Sequence, residues 1–244
     1  MNIQEKLWMN IDELIEHGPI TIVAFGDSVT HASFETNKMD YEAVYWNRLR
    51  NKIMGIHKFI PVNVICAGIG GATAHSSLGR LQKQVLDHHP DVVIVCFGLN
   101  DINRPLEEFQ AALREIFLRC QAAGAEPILL TPNMLNTRVA EDVDDCYREY
   151  AAVTAEFQNS GLMDAYMDGA RSVATELHVR ICDCYAEWKK RSETEDITML
   201  LANRINHPSR EMHELFAERL FQLLFGDTIK AREAKQSTMY VDQQ

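Results

Sequence analysis

The sequence predicts one three-layer α/β/α domain on a parallel sheet of about five strands, and three observations carry that expectation. Short apolar runs rich in β-branched residues alternate with longer segments of helical period, the pattern of a parallel sheet covered on both faces. No internal repeat, low-complexity stretch or Pro/Gly linker divides the 244 residues. Small and polar residues also recur directly after the apolar runs, at the sheet edge where ligands of open parallel sheets bind.

Each element follows in order. MNIQEKLWMNIDELIEHG reads as a short amphipathic helix with Ile3, Leu7, Ile11, Leu14 and Ile15 at helical spacing. Its acidic residues and broken apolar pattern fit neither a signal peptide nor a membrane anchor. Strands are expected at 20–25 (ITIVAF), 61–66 (PVNVIC), 91–97 (DVVIVCF), 126–131 (EPILLT) and 178–183 (HVRICD). Helical patterns fall at 40–54, 74–88, 106–123 and 144–177, the last broken around Asn159–Gly161. A final helix over 208–225 places Met212, Leu215, Phe216, Leu220 and Leu223 on one face. Residues 1–228 form the domain, and 229–244 read as a polar tail. The first helix and this tail are the contact elements available to a homo-oligomer.

Composition excludes several functions. With 24 basic against 35 acidic residues, a formal charge of −11, the chain lacks the clustered Lys and Arg of a nucleic-acid or membrane-surface binder. The six cysteines fit a reducing compartment, with the cytoplasm as the default. Cys66 and Cys96 lie inside apolar strands, and Cys182-Asp183-Cys184 matches neither a redox CxxC nor half of a zinc site.

The strand exits carry the chemistry. They read Gly26-Asp27-Ser28, then Ala67-Gly68-Ile69-Gly70-Gly71-Ala72-Thr73, then Gly98-Leu99-Asn100-Asp101, then Thr131-Pro132-Asn133. Taken singly, each is also an ordinary turn-rich exit. Together they suit a nucleophilic serine, which needs a base and donors for an oxyanion. Ser28 stands where a helix would begin, which favours negative charge beside it. Gly70 and Gly71 let the backbone turn an N–H inward, and Asn100 offers a side-chain NH2.

Nine histidines compete for the role of base. His17, His57, His88 and His89 fall in polar turns or helix ends and read as surface residues; His178 leads the fifth strand and His213 lies on the polar side of the last helix. His31 and His75 are near enough in sequence to contact a substrate. His207 differs, because Pro208 holds it extended before a helix start, where the dipole keeps the ring neutral.

In this order, FGDSVTH, GIGGAT, FGLND and the His-Pro of NHPS resemble the SGNH (GDSL-type) hydrolases over about residues 20–225. That resemblance implies a flavodoxin-like sheet and ester hydrolysis, commonly of acetyl or short acyl groups on carbohydrates or other small alcohols, with no metal or cofactor. It implies Ser28 as nucleophile, His207 as base, and an oxyanion hole from the Ser28 N–H, Gly71 and Asn100, with Gly70 the alternative glycine. Asp27, Gly70 and Asp101 are supporting residues, Asp27 fixing the loop rather than reacting.

One position departs from the family pattern. An Asp three residues before the His is usual, but Arg204 stands there. A backbone carbonyl, Asn203, Asp183 or Asp196 is left to orient the imidazole, although Asp183 also reads as a helix cap. That gap keeps an inert carbohydrate-binding protein on the same fold as the alternative function. Other rivals fit less well. GIGGAT has Thr73 where a dinucleotide fingerprint needs a third glycine, and GDSVT has Thr30 where an α/β-hydrolase elbow needs one. Tyr45 and Trp46 read as core or rim packing.

Overall fold

In the computed structural model, which describes residues 1–241, five parallel strands form one sheet in the order β2-β1-β3-β4-β5. Two short helices, α1 (Ile3–Lys6) and α2 (Ile11–His17), lead into β1 (Ile20–Gly26), α3 (Tyr45–Ile56), β2 (Val62–Gly68), α4 (Ala74–Gln84) and β3 (Val92–Cys96). Then come α5 (Leu106–Ala122), β4 (Glu126–Leu130), α6 (Arg148–Asn159), α7 (Leu162–Glu176), β5 (Arg180–Cys182), α8 (Cys184–Arg191) and α9 (Arg210–Val241).

The chain steps from β1 outward to β2, then back across to β3, β4 and β5. Right-handed crossovers therefore place α3 on one face and α4, α5 and α7 on the other. Accordingly α3 packs on α9, while α4 packs on α5 and α5 on α7. All of β3, and all of β1 except Thr21, is buried between these layers. The order reverses between β1 and β3, whose carboxyl ends open the crevice where a ligand enters such a sheet.

All five strands and the break near Asn159 lie where the sequence puts them; four local features differ. The N-terminal helix is two helices, because Asn10 starts a second capping box with Glu13, as Asn2 does with Glu5. Ile3 and Leu7 enter the core, whereas Ile11 and Ile15 are exposed. An additional helix, α8, follows β5; Asp183 caps it, accepting the Ala186 N–H, and Trp188 is buried under it. His213 is fully buried instead of lying on a polar face. The last helix continues to Val241 through most of the stretch read as a tail; 242–244 lie outside the described residues.

Candidate active site

At the end of β1 the backbone leaves the sheet through Gly26-Asp27-Ser28 into a single turn, and the next helix begins only at Tyr45. Ser28 therefore does not sit on a helix N-terminus, and any positive potential beside it comes from individual N–H groups. Glycine is required at two strand ends that face this turn and pair in register, Gly26 and Gly68. A Cβ on Gly26 would lie 2.2 Å from Thr30 Oγ1; one on Gly68 would lie 2.4 Å from the His31 amide nitrogen.

The turn is tied down on several sides. The Asp27 carbonyl accepts the His31 N–H (2.9 Å), and Asp27 Oδ1 accepts the Val29 N–H (3.0 Å). From α3, the Trp46 indole N–H donates to the Thr30 carbonyl (2.9 Å), and the buried Tyr45 hydroxyl meets Thr30 Oγ1 (3.0 Å). The packing role read for this pair is thus directed at the turn carrying Ser28. Asp27 is completely buried, and its Oδ2 has no partner. Burial, aided by the nearby charge of Asp101, pushes its carboxyl up to about 7.

The second and third strand exits meet beside Ser28. The Gly70 N–H donates to His31 Nδ1 (3.3 Å), while Gly71 has φ +75°, which suits a residue without Cβ. Among the described residues, the N–H groups of Gly71 and Ser28 donate to no protein acceptor. This separates the two glycines, since Gly71 retains a free N–H and Gly70 does not. Asn100 gives one Nδ2 hydrogen to the Ala72 carbonyl (3.1 Å), leaving the second to the cleft. Asp101 joins both loops, accepting the Ala74 N–H (2.8 Å) and the Gly98 N–H (3.0 Å). Burial raises its carboxyl to about 6.

His207 completes the group. Its Nε2 lies 3.0 Å from Ser28 Oγ, and its Nδ1 lies 2.9 Å from the Phe34 carbonyl oxygen. A carbonyl only accepts, so Nδ1 carries the proton and the Nε2 lone pair faces the Ser28 hydroxyl. Burial holds the imidazole below its ordinary pKa, and the Phe34 carbonyl opposes that shift. Asn203 fixes the loop, its Oδ1 accepting the N–H groups of Ile205, Asn206 and His207 (3.0, 3.0 and 2.9 Å).

Of the four orienting groups left open by the sequence, the backbone carbonyl is the one present. Asp183 pairs with Arg171 and Asp196 with Arg138. Arg204, at φ +62°, sends its guanidinium to Asp142 (2.9 Å) and to the Met199 and Leu201 carbonyls. Nothing in the sequence marks Phe34 for this role, because every residue offers the same main-chain carbonyl.

Ser28, Gly70, Gly71, Asn100 and His207 all line one cleft of about 450 Å³, within the range of small-molecule sites. Its outer wall comes from loop 33–39 and from Tyr147 and Tyr150, and Asn203 and Asn206 add amides to its floor. His31 and His75 do not line it. No group of three or more metal-ligating side chains occurs among the described residues.

A family model described as the GDSL-like lipase/acylhydrolase family matches residues 24–215. The chain is 28% identical over 186 residues to an uncharacterized lipoprotein, YqeF, of Bacillus subtilis (strain 168), covering 71% of this chain and 73% of that protein. It is 22% identical over 192 residues to an acetylxylan esterase of Geobacillus stearothermophilus, covering 74% and 80%. The solved structure of an acetyl xylan esterase, AlAXEase, superposes with TM-score 0.66 at 20% identity, covering 84% of this chain and all of the other.

Proposed function

The chain belongs to the GDSL-like lipase/acylhydrolase family of carboxylic ester hydrolases, and on that premise we propose that it removes short acyl groups, acetyl first, from a carbohydrate or other small alcohol, with Ser28 as nucleophile. The observation that carries this reading is the alignment of Ser28 Oγ with His207 Nε2 while Nδ1 is held by Phe34.

The reaction follows from that alignment. Ser28 Oγ attacks the ester carbonyl carbon as its proton passes to His207 Nε2. The resulting oxyanion takes hydrogen bonds from the Ser28 and Gly71 N–H groups and the second Asn100 Nδ2 hydrogen. The bond to the alcohol oxygen then breaks, and His207 returns its proton to the leaving alkoxide. Water, deprotonated by His207, attacks the acyl-Ser28 carbonyl, releases the acid and restores the serine. Phe34 supplies a dipole where a triad supplies a charge. It thus holds the productive tautomer but stabilises the imidazolium less than a carboxylate would.

Thr36, Asn37, Asn203 and Asn206, with the Tyr147 and Tyr150 rings, present hydrogen-bonding groups and aromatic faces suited to a hydroxyl-rich substrate. Similarity to an acetylxylan esterase supports acetyl as the acyl group and a sugar as the alcohol. Acetate release from acetylated xylooligosaccharides by wild type and Ser28→Ala tests this. Release by wild type alone is the expected result. No release by wild type, with tight binding of the same oligosaccharides to both proteins, would favour a binding protein and sink the enzymatic reading.

A further inference from the structure

The group that orients His207 sits on a loop held from outside. Segment 32–40 folds back on itself, the Phe34 N–H donating to the Lys38 carbonyl (3.0 Å) and the Asp40 N–H to the Ala32 carbonyl (2.9 Å). Both its arms are gripped by one side chain. Arg210, in the first turn of α9, donates from Nε to Asp40 Oδ2 (2.7 Å) and from its terminal nitrogens to Glu35 Oε1 (2.7 Å) and Oε2 (3.3 Å). Its guanidinium lies 4.6 Å from the centre of the Phe34 ring. His213, one turn further on, packs its own ring 4.6 Å from the same centre and accepts the Tyr45 N–H. The base and the residues that fix its partner thus arise from one stretch, 207–213.

We infer that Arg210 is a positioning residue for catalysis: by clamping Glu35 and Asp40 it holds the Phe34 carbonyl against His207 Nδ1, the place a triad carboxylate would take. This rests on the reading of Ser28 and His207 given above. Both ion pairs are partly open to solvent, with side-chain exposures of 42% for Arg210, 36% for Glu35 and 26% for Asp40. Such pairs add little to global stability, so the arrangement is better explained by what it positions. Arg210 also holds both carboxyls below their usual range, which favours the ionised clamp. Among the described residues, the other charged or titratable side chains lining the cleft with His207 are Lys38 on the loop and Tyr147 and Tyr150 on its wall, and His213 on α9 lies close enough to interact with it electrostatically.

The test compares full-length Arg210→Gln, Arg210→Lys and a control, Arg114→Gln, which breaks the distant exposed pair with Glu176. Ester hydrolysis is followed from pH 4.5 to 8.5, and the His207 ring nitrogens are followed by NMR. Arg210→Gln should lower kcat roughly 10- to 100-fold with KM within about twofold, as expected when a base drifts by a fraction of an ångström. The ring signals should move from the pure Nδ1–H form toward a tautomer mixture. Arg210→Lys should recover part of the rate, and the control should change nothing. If Arg210→Gln fails to fold, the Glu35→Gln/Asp40→Asn double variant releases the loop from its other side and must show the same two effects. Wild-type kcat with an unchanged tautomer in a folded clamp variant would overturn the inference. Absence of Ser28-dependent turnover in wild type would instead refute the functional reading, while the NMR arm still decides the clamp.

Discussion

Gly68→Ala tests how closely the fold sets the geometry of Ser28. Gly68 ends β2 with an ordinary backbone conformation, so alanine meets no φ penalty there and the effect is wholly steric. The new methyl would lie 2.4 Å from the His31 amide nitrogen and 2.6 Å from the Thr30 carbonyl carbon, roughly 1 Å inside ordinary contact. Both neighbours are main chain, and Thr30 is held by Trp46, Tyr45 and Cys66, so the turn must move as a body. Overpacking of this kind costs about 1–3 kcal/mol. A shift of about 1 Å in the serine costs on the order of 100-fold in rate. The assay pairs a urea unfolding midpoint with kcat/KM on p-nitrophenyl acetate, using Gly79→Ala as control. Gly79 is an exposed α4 glycine with nothing within 4 Å of an added Cβ, and its replacement should stabilise by about 0.5–1 kcal/mol without touching the rate. Wild-type stability and activity in Gly68→Ala would refute the claim that the strand ends clamp the turn.

Three further outcomes follow from the site. Activity needs neutral His207, whose pKa burial holds below the ordinary 6.5, so the acid limb of kcat/KM should be half-complete below pH 6.5; a limb at pH 7 or above would indicate a carboxylate partner. Asn100→Ala should lower kcat by about 10²–10³ with little change in KM, and an unchanged kcat would remove Asn100 from the oxyanion hole. Asp27 prefers its protonated form in the folded state, so its contribution to stability is complete below pH 3.8 and lost as pH rises toward about 7. Asp27→Asn should therefore raise the unfolding free energy at pH 8 by about 1–3 kcal/mol, with the gain fading toward pH 4; a gain that grew on acidification would contradict the assignment.

What the sequence made legible depended on whether a feature has a residue signature. Strand runs such as VVIVC could be read because a strand covered on both faces has no polar side to vary. That Ser28, Gly71, Asn100 and His207 meet at one cleft could be anticipated because the first three follow strand ends and His207 stands before Pro208 at a helix start. The N-terminal helix misled because Ile11 and Ile15 continue a helical spacing that Asn10 interrupts. His213 misled because Arg210, Glu211 and Glu214 surround it in sequence, while in space it lies against Phe34, Tyr45 and Phe216. Arg204 showed that a carboxylate was missing but not what replaced it. That replacement is a carbonyl 173 positions away in the chain, brought in by packing between loop 32–40 and α9.

The central claim is that Ser28 is a nucleophile activated by His207 without a carboxylate. Hydrolysis of p-nitrophenyl acetate by wild type and Ser28→Ala, purified side by side without added metal, tests this most directly. Turnover in the wild type and background in the variant are the expected result. Equal rates in the two proteins would contradict it.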